Sequence, residues 1–360
     1  MIKVLVADDS ALMRKLLEGI FLEQGDFEIR TARNGDEALA LVHDFDPHVV
    51  TLDVQMPGMD GLMCLGRIMI ESPRPVVMIS SLTEAGAEAT LEAMELGAID
   101  FIAKPEGAIS LEIDRLAPLI VEKVRAAAAV RISGALRLRE RIRHTTRRIT
   151  AERTVLKRSK RRAGGSPGLV LIGTSTGGPA ALDMVLPALP SDLPWPVLVA
   201  QHMPGNFTGP FAKRLDRHCP LNVVEVANPT PILPGTIHIG RGDADVILSR
   251  RAAGIVAMPA PAQPDYPWHP SVERMVSSAL EHYAADRLIG VLMTGMGNDG
   301  AQAMSRLRSQ GGHTIAEAES TAVVWGMPGE LVATGGAEVI VPVDQIAEAI
   351  IEMVNADASH

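Results

Sequence analysis

The residues that could carry out chemistry fall into two groups. In the first, Asp8 and Asp9 form an acidic pair after the apolar run Lys3–Ala7. Asp53 ends the run His48–Leu52, Ser80 follows Val76–Ile79, and Lys104 follows Phe101–Ala103 just before Pro105. Three carboxylates brought together repel one another unless a cation lies among them, and a small all-oxygen site suits Mg²⁺. One carboxylate can then act as a nucleophile toward a phosphoryl group while the metal and a lysine offset the charge. Taken singly, each aspartate also suits a turn or a helix cap. Five such residues at four strand ends point to one site.

The second group centres on Ser175. The letters G-T-S-T-G-G follow the apolar run Leu169–Ile172 and precede PAALDMVLPALP, with Pro179 in the expected first turn of a helix. This is the strand–turn–helix setting of a nucleophilic serine, although the same turn also suits an N-cap or a phosphate cradle. A catalytic serine needs a base and an acid that orients the base. His202 lies in A-Q-H-M-P directly after the run Trp195–Ala200, and Asp299 lies in G-M-G-N-D-G after Leu288–Thr294. His238 falls inside the T-I-H-I-G strand pattern, while His218 and His282 are expected on helices. The chain order Ser, His, Asp differs from the Ser, acid, His order of α/β-hydrolases. Asp243 does not restore that order, because it also follows the histidine. The order therefore predicts a serine hydrolase outside the lipase–esterase class.

The elements that must position these residues form two α/β alternations. Strand patterns Lys3–Ala7, Ile29–Thr31, His48–Leu52, Val76–Ile79 and Phe101–Ala103 alternate with helical patterns Ser10–Glu23, Gly35–Asp44, Asp60–Ile70, Ala85–Leu96 and Leu111–Ala127. Such a pattern predicts a parallel sheet covered on both faces, with polar residues beyond its carboxyl ends. A second alternation begins after Pro167. At 360 residues, 47% hydrophobic and 21% charged, the chain can bury two cores, which excludes a disordered or fibrous protein. Aromatics are only 3%, so the cores are expected to be aliphatic. Cys64 and Cys219 are too few for a disulfide framework, and no Cys/His cluster has zinc spacing. Residues 121–165 hold 15 of the 34 basic residues but only 3 of the 43 acidic ones, and end in Gly-Gly. This reads as a basic interdomain linker. A basic run can also grip nucleic acid, but no reader motif accompanies it, so no nucleic-acid partner is expected. The opening MIKVLVADDS runs straight into a strand pattern, and no apolar run reaches the ~20 residues of a membrane span. A cytoplasmic location without membrane insertion is expected.

The first set of motifs, D-D, D-V-Q-M-P-G-M-D-G, S-S and K-P, resembles the receiver domains of two-component response regulators. That resemblance implies that Asp53 is the phosphoacceptor. Asp8, Asp9, Asp53 and the Gln55 backbone carbonyl would hold Mg²⁺, Ser80 would report phosphorylation and Lys104 would contact the phosphoryl oxygens. It also implies a cis peptide between Lys104 and Pro105. The second set, G-T-S-T-G-G, A-Q-H-M-P and T-G-M-G-N-D-G behind a receiver, resembles the CheB-type chemotaxis response regulators, protein-glutamate methylesterases that also act as glutaminases. By that resemblance Ser175 is the nucleophile, His202 the base and Asp299 its partner. The Met296 N–H would serve the oxyanion, Thr176 would assist, and the catalytic domain would need no cofactor. The implied organisation is a (βα)5 flavodoxin-like receiver at 1–120, a linker at 121–166 and a doubly wound α/β methylesterase domain at 167–355. Implied partners are methylated chemoreceptor cytoplasmic domains as substrate and a chemotaxis histidine kinase as phosphodonor. The unphosphorylated receiver would block the catalytic mouth. The sequence departs from the family pattern at Thr174, Asp245, His269–Glu273 and Gln55. The first three predict a distinct receptor, and Gln55 an altered phosphoryl lifetime.

Overall fold

The computed structural model describes residues 1–104, 109–130, 168–252 and 254–357. Most of the expected linker, from 131 to 166, lies outside these residues, as does Pro105 with the expected Lys104–Pro105 cis bond. The cis peptide among the described residues joins His269 to Pro270.

The N-terminal elements are β1 (Ile2–Ala7), α1 (Ala11–Leu22), β2 (Phe27–Ala32), α2 (Gly35–Asp44), β3 (Val49–Asp53), α3 (Gly61–Glu71), β4 (Val76–Ser80), α4 (Glu84–Leu96), β5 (Asp100–Ala103) and α5 (Ile109–Ala129). Val4–Ala7, Val49–Asp53 and Val76–Ser80 are buried throughout, as strands covered on both faces must be. Each fully buried Val, Leu or Ile there contributes roughly 1.5–3 kcal/mol. Helices begin where a side chain can satisfy the orphan N–H groups of the first turn. Ser10, Asn34 and Asp60 accept from Met13, Glu37 and Met63. The strand order is β2-β1-β3-β4-β5. Connections leave β1 and β3 in opposite directions, so a crevice opens beyond their carboxyl ends. α5 runs on to Ala129, so the expected linker begins as helix.

The C-terminal elements are β6 (Leu169–Thr174), α6 (Gly178–Val185), β7 (Val197–Gln201), α7 (Gly205–Asp216), β8 (Asn222–Val226), β9 (Thr230–Pro231), β10 (Thr236–Gly240), β11 (Asp245–Arg251), β12 (Gly254–Ala260), α8 (Val272–Leu280), β13 (Leu288–Leu292), α9 (Ala301–Ser309), β14 (His313–Glu317), α10 (Met327–Ala333), β15 (Val339–Val341) and α11 (Ile346–Asp357). Seven strands form one sheet in the order β15-β14-β13-β6-β7-β10-β8, with every adjacent pair parallel. A small antiparallel sheet, β11-β12-β9, lies apart. The chain winds outward from β6 through β7 on one side and from β13 through β14 and β15 on the other. The crevice is therefore at the β6/β13 boundary.

The cores are aliphatic as expected, apart from a few phenylalanines such as Phe21 and Phe211. Both cysteines are free. Two histidines differ from expectation. His218 and His282 sit in the turns after α7 and α8, where their N–H groups donate to Leu215 O and Ala279 O, three residues back. Each helix has tightened and stopped before reaching the histidine. The strand expected over Leu288–Thr294 ends at Leu292, because the Thr294 N–H leaves the ladder for the Glu317 carboxylate at 2.8 Å. Among the described residues, no helix is long and apolar enough to cross a membrane.

Candidate active site and acidic cluster

At the end of the first sheet, a carboxylate oxygen from each of Asp8, Asp9 and Asp53 lies within 4.8 Å of the others. Asp8 and Asp53 are buried and Asp9 is exposed. The turn is held from both sides. Asp8 Oδ1 accepts the Ser10 N–H at 2.8 Å, and the Arg14 guanidinium donates to the carbonyls of Asp8 and Asp9 at 2.7 and 2.9 Å. Asp53 Oδ1 accepts the Gln55 N–H at 3.3 Å. An oxygen-only, strongly anionic donor set fits a hard divalent cation such as Mg²⁺. Ser80 ends the neighbouring strand, where its hydroxyl donates to Gly86 O at 3.0 Å. The Lys104 N–H donates to Ser80 O at 2.7 Å. Ser80 and Lys104 thus meet through their backbones where β4 and β5 end.

In the second sheet, Thr174 and Gln201 are register partners on β6 and β7, so Ser175 and His202 follow paired residues and leave the sheet side by side. The Ser175 N–H donates to Thr294 O at 3.0 Å, and the His202 N–H to Thr174 O at 3.0 Å. Ser175 O accepts the Gly178 N–H at 2.8 Å, closing the turn into α6.

His202 Nε2 lies 2.8 Å from Asp299 Oδ2, and both side chains are buried. Asp299 lies one residue before the N-cap position of the helix that follows it. Gly300 takes that position with a φ of 85°, and Asp299 turns instead to the N-terminus of α8. It accepts from Ser271 Oγ at 3.0 Å, Val272 N at 2.6 Å and Glu273 N at 3.0 Å. Burial works to raise its pKa. The hydrogen bond and charge of His202, with the N–H groups of Glu273 and Val272, outweigh burial and hold the carboxyl below its ordinary value. Such a carboxylate stays ionised and fixes the imidazole with Nε2–H as donor. His202 Nδ1 makes no hydrogen bond; it is the nitrogen left to exchange a proton. Ser175 and His202 are not hydrogen-bonded to each other, a looseness common before substrate binds.

The expected oxyanion turn follows β13. The Gly295 N–H is bound to Val324 O at 3.0 Å, and Met296, next along, is buried. Thr176 is buried, and its carbonyl accepts Thr294 Oγ1 at 2.8 Å. Several residues here went unremarked in the sequence as site residues. Thr294 joins β6, the turn and Glu317 through its N–H, carbonyl and hydroxyl. Trp268 lies with its ring parallel to His202, centroids 6.1 Å apart. Asp245, fully buried, binds His269 Nδ1 at 2.8 Å, the Ser271 N–H at 2.7 Å and the Arg274 guanidinium. Asp245 and His269, two positions singled out in the sequence, therefore meet in one contact at the start of α8. Ser271 lies in the segment His269–Glu273 compared above with the family pattern, and it is also a cap-forming residue before the apolar periodicity of α8.

Residues 170–350 match the CheB methylesterase family and residues 4–113 match the response regulator receiver domain. Over all of both chains, the sequence is 67% identical to protein-glutamate methylesterase/protein-glutamine glutaminase 2 of Rhodopseudomonas palustris. It is 54% identical to the corresponding enzyme 3 of Rhodospirillum rubrum, covering 96% of this chain and 95% of the other. The catalytic domain of Thermotoga maritima CheB methylesterase is 36% identical, with a TM-score of 0.50, over 52% of this chain and 100% of that one.

Proposed function

The chain belongs to the CheB methylesterase family with a response-regulator receiver domain, and from that premise we propose a phosphorylation-activated serine hydrolase of the cytoplasm. It demethylates glutamate methyl esters, and deamidates glutamines, on the cytoplasmic domains of chemoreceptors during adaptation in chemotaxis. The observation that carries the reading is the buried 2.8 Å contact between His202 Nε2 and Asp299 Oδ2, at strand ends adjoining the Ser175 turn.

In the proposed reaction, Ser175 Oγ attacks the ester carbonyl while His202 Nδ1 takes its proton. The resulting imidazolium is stabilised by the ionised Asp299. The Met296 N–H, assisted by Thr176, faces the oxygen on which charge develops. The C–OCH₃ bond then breaks, and Nδ1 returns the proton to the leaving methoxide, giving methanol. Water, deprotonated by the same nitrogen, attacks the acyl-serine, releasing the receptor glutamate and restoring Ser175. A glutamine follows the same course with ammonia leaving.

In the receiver half, the Asp53 carboxylate attacks the phosphorus of a chemotaxis kinase's phosphohistidine; the P–N bond breaks, the kinase imidazole leaves, and Asp53 carries an acyl phosphate. Mg²⁺ held by Asp8, Asp9, Asp53 and the Gln55 carbonyl would offset charge on the phosphoryl oxygens. Lys104 would do so from the end of β5, and Ser80, at the end of β4, reports the change. The test is methanol release from methylated chemoreceptor membranes, with and without acetyl phosphate and Mg²⁺. Stimulated release by the wild type and none from Ser175→Ala supports the reading; no release from any methylated receptor refutes it.

A further inference from the structure

Gln201, the last residue of β7, is only 2% exposed. Its side chain does not fill apolar space. Nε2 donates to Ser175 O at 3.0 Å and to His202 O at 2.9 Å, so one amide group bridges the backbone carbonyls of the nucleophile and the base. We infer that Gln201 is a positioning residue that sets the distance between Ser175 and His202, an inference resting on the assignment of those two roles.

The chemistry admits few substitutes. A carboxamide offers two N–H donors in one plane, one for each carbonyl. The reversed amide would set Oε1 against two carbonyl oxygens, so the network fixes its orientation. A glutamate has only acceptors when ionised, and an asparagine is shorter by one methylene. The surroundings are shaped to this amide. Oε1 makes no hydrogen bond and lies against Gly178, where an added Cβ would come within 2.0 Å of it. Gly178 also donates its N–H to Ser175 O. The Ser175 carbonyl thus receives two donors, which fix the peptide plane after the nucleophile and with it the direction of the Ser175 side chain. Since Ser175 and His202 are not yet hydrogen-bonded to each other, their relative placement rests on such backbone ties.

A shift of about 1 Å between reacting groups can cost on the order of 100-fold in rate. The experiment measures kcat and KM for methanol release by the full chain, with acetyl phosphate and Mg²⁺ and graded amounts of methylated receptor membranes. Gln201→Glu, Gln201→Met, Ser175→Ala and the wild type are compared, with thermal unfolding of each. Gln201→Met keeps the side-chain length without burying a charge, so it serves if Gln201→Glu does not fold. The expected result is a kcat lower by roughly 10- to 100-fold, with KM within about twofold, in a folded protein. A folded Gln201→Met with wild-type kcat, or a loss confined to KM, overturns the clamp while an inactive Ser175→Ala leaves the nucleophile in place. An active Ser175→Ala overturns the assignment beneath it, and the clamp with it.

Discussion

Replacing Asp299 by Asn tests how the carboxylate serves both the imidazole and the helix. The four donors around it divide evenly: His202 Nε2 and Val272 N on Oδ2, Ser271 Oγ and Glu273 N on Oδ1. An asparagine has one oxygen, so either orientation turns an NH₂ toward two donors. If the NH₂ replaces Oδ2, His202 can answer only by moving its proton to Nδ1, which removes the base. The Val272 N–H is then left facing a donor. If it replaces Oδ1, the Ser271 hydroxyl can rotate to accept, but the Glu273 N–H is orphaned and the imidazolium faces a neutral amide. Each orientation leaves one buried N–H unsatisfied, which costs about 1–3 kcal/mol of stability. Loss of the orienting charge in such triads lowers kcat by about 10⁴. The assay is methanol release alongside urea unfolding. A variant within tenfold of the wild-type kcat, or one equally stable, would refute the dual role.

Asp53→Asn should abolish stimulation by acetyl phosphate, so methanol release with and without the phosphodonor becomes equal; a retained response would count against Asp53 as acceptor. Gly297 has a φ of +71°, and a Cβ there would come within 2.5 Å of the Trp268 ring. Gly297→Ala should therefore destabilise the domain by about 1–3 kcal/mol and lower kcat, read by thermal unfolding and steady-state kinetics. An unchanged pair of values would contradict the close packing of Gly297 against the Trp268 ring. The Asp299 carboxyl is held below its ordinary pKa, so the unfolded chain binds more protons there than the folded one. Its contribution is full above about pH 4 and is lost as pH falls through the lower folded value. Urea unfolding at successive pH values should show a flatter acid limb in Asp299→Asn, and parallel limbs would contradict this.

The sheets were legible because parallel strands buried on both faces read as continuous apolar runs, and Val4–Ala7, Leu169–Ile172 and Leu288–Leu292 have that form. The strand-end residues were legible for the same reason: a polar group that interrupts such a run lies at the rim. Asp299 was visible as a carboxylate in a glycine-rich turn. Its attachment to α8 was not, because it depends on a segment that precedes it by 27 residues and meets it only in three dimensions. Gln201 was quoted within A-Q-H-M-P, yet nothing local distinguishes an amide that bridges two carbonyls from one facing solvent. His218 and His282 were misplaced because helix ends depend on capping geometry that periodicity does not carry.

The nucleophile itself can be tested by covalent trapping. The full chain would be treated with a fluorophosphonate and mapped by peptide mass spectrometry while methanol release is followed. A single adduct on Ser175, forming in step with loss of methanol release and absent from His202→Ala, is the predicted result. Inactivation with Ser175 unmodified, or an adduct on another residue tracking the loss, would contradict it.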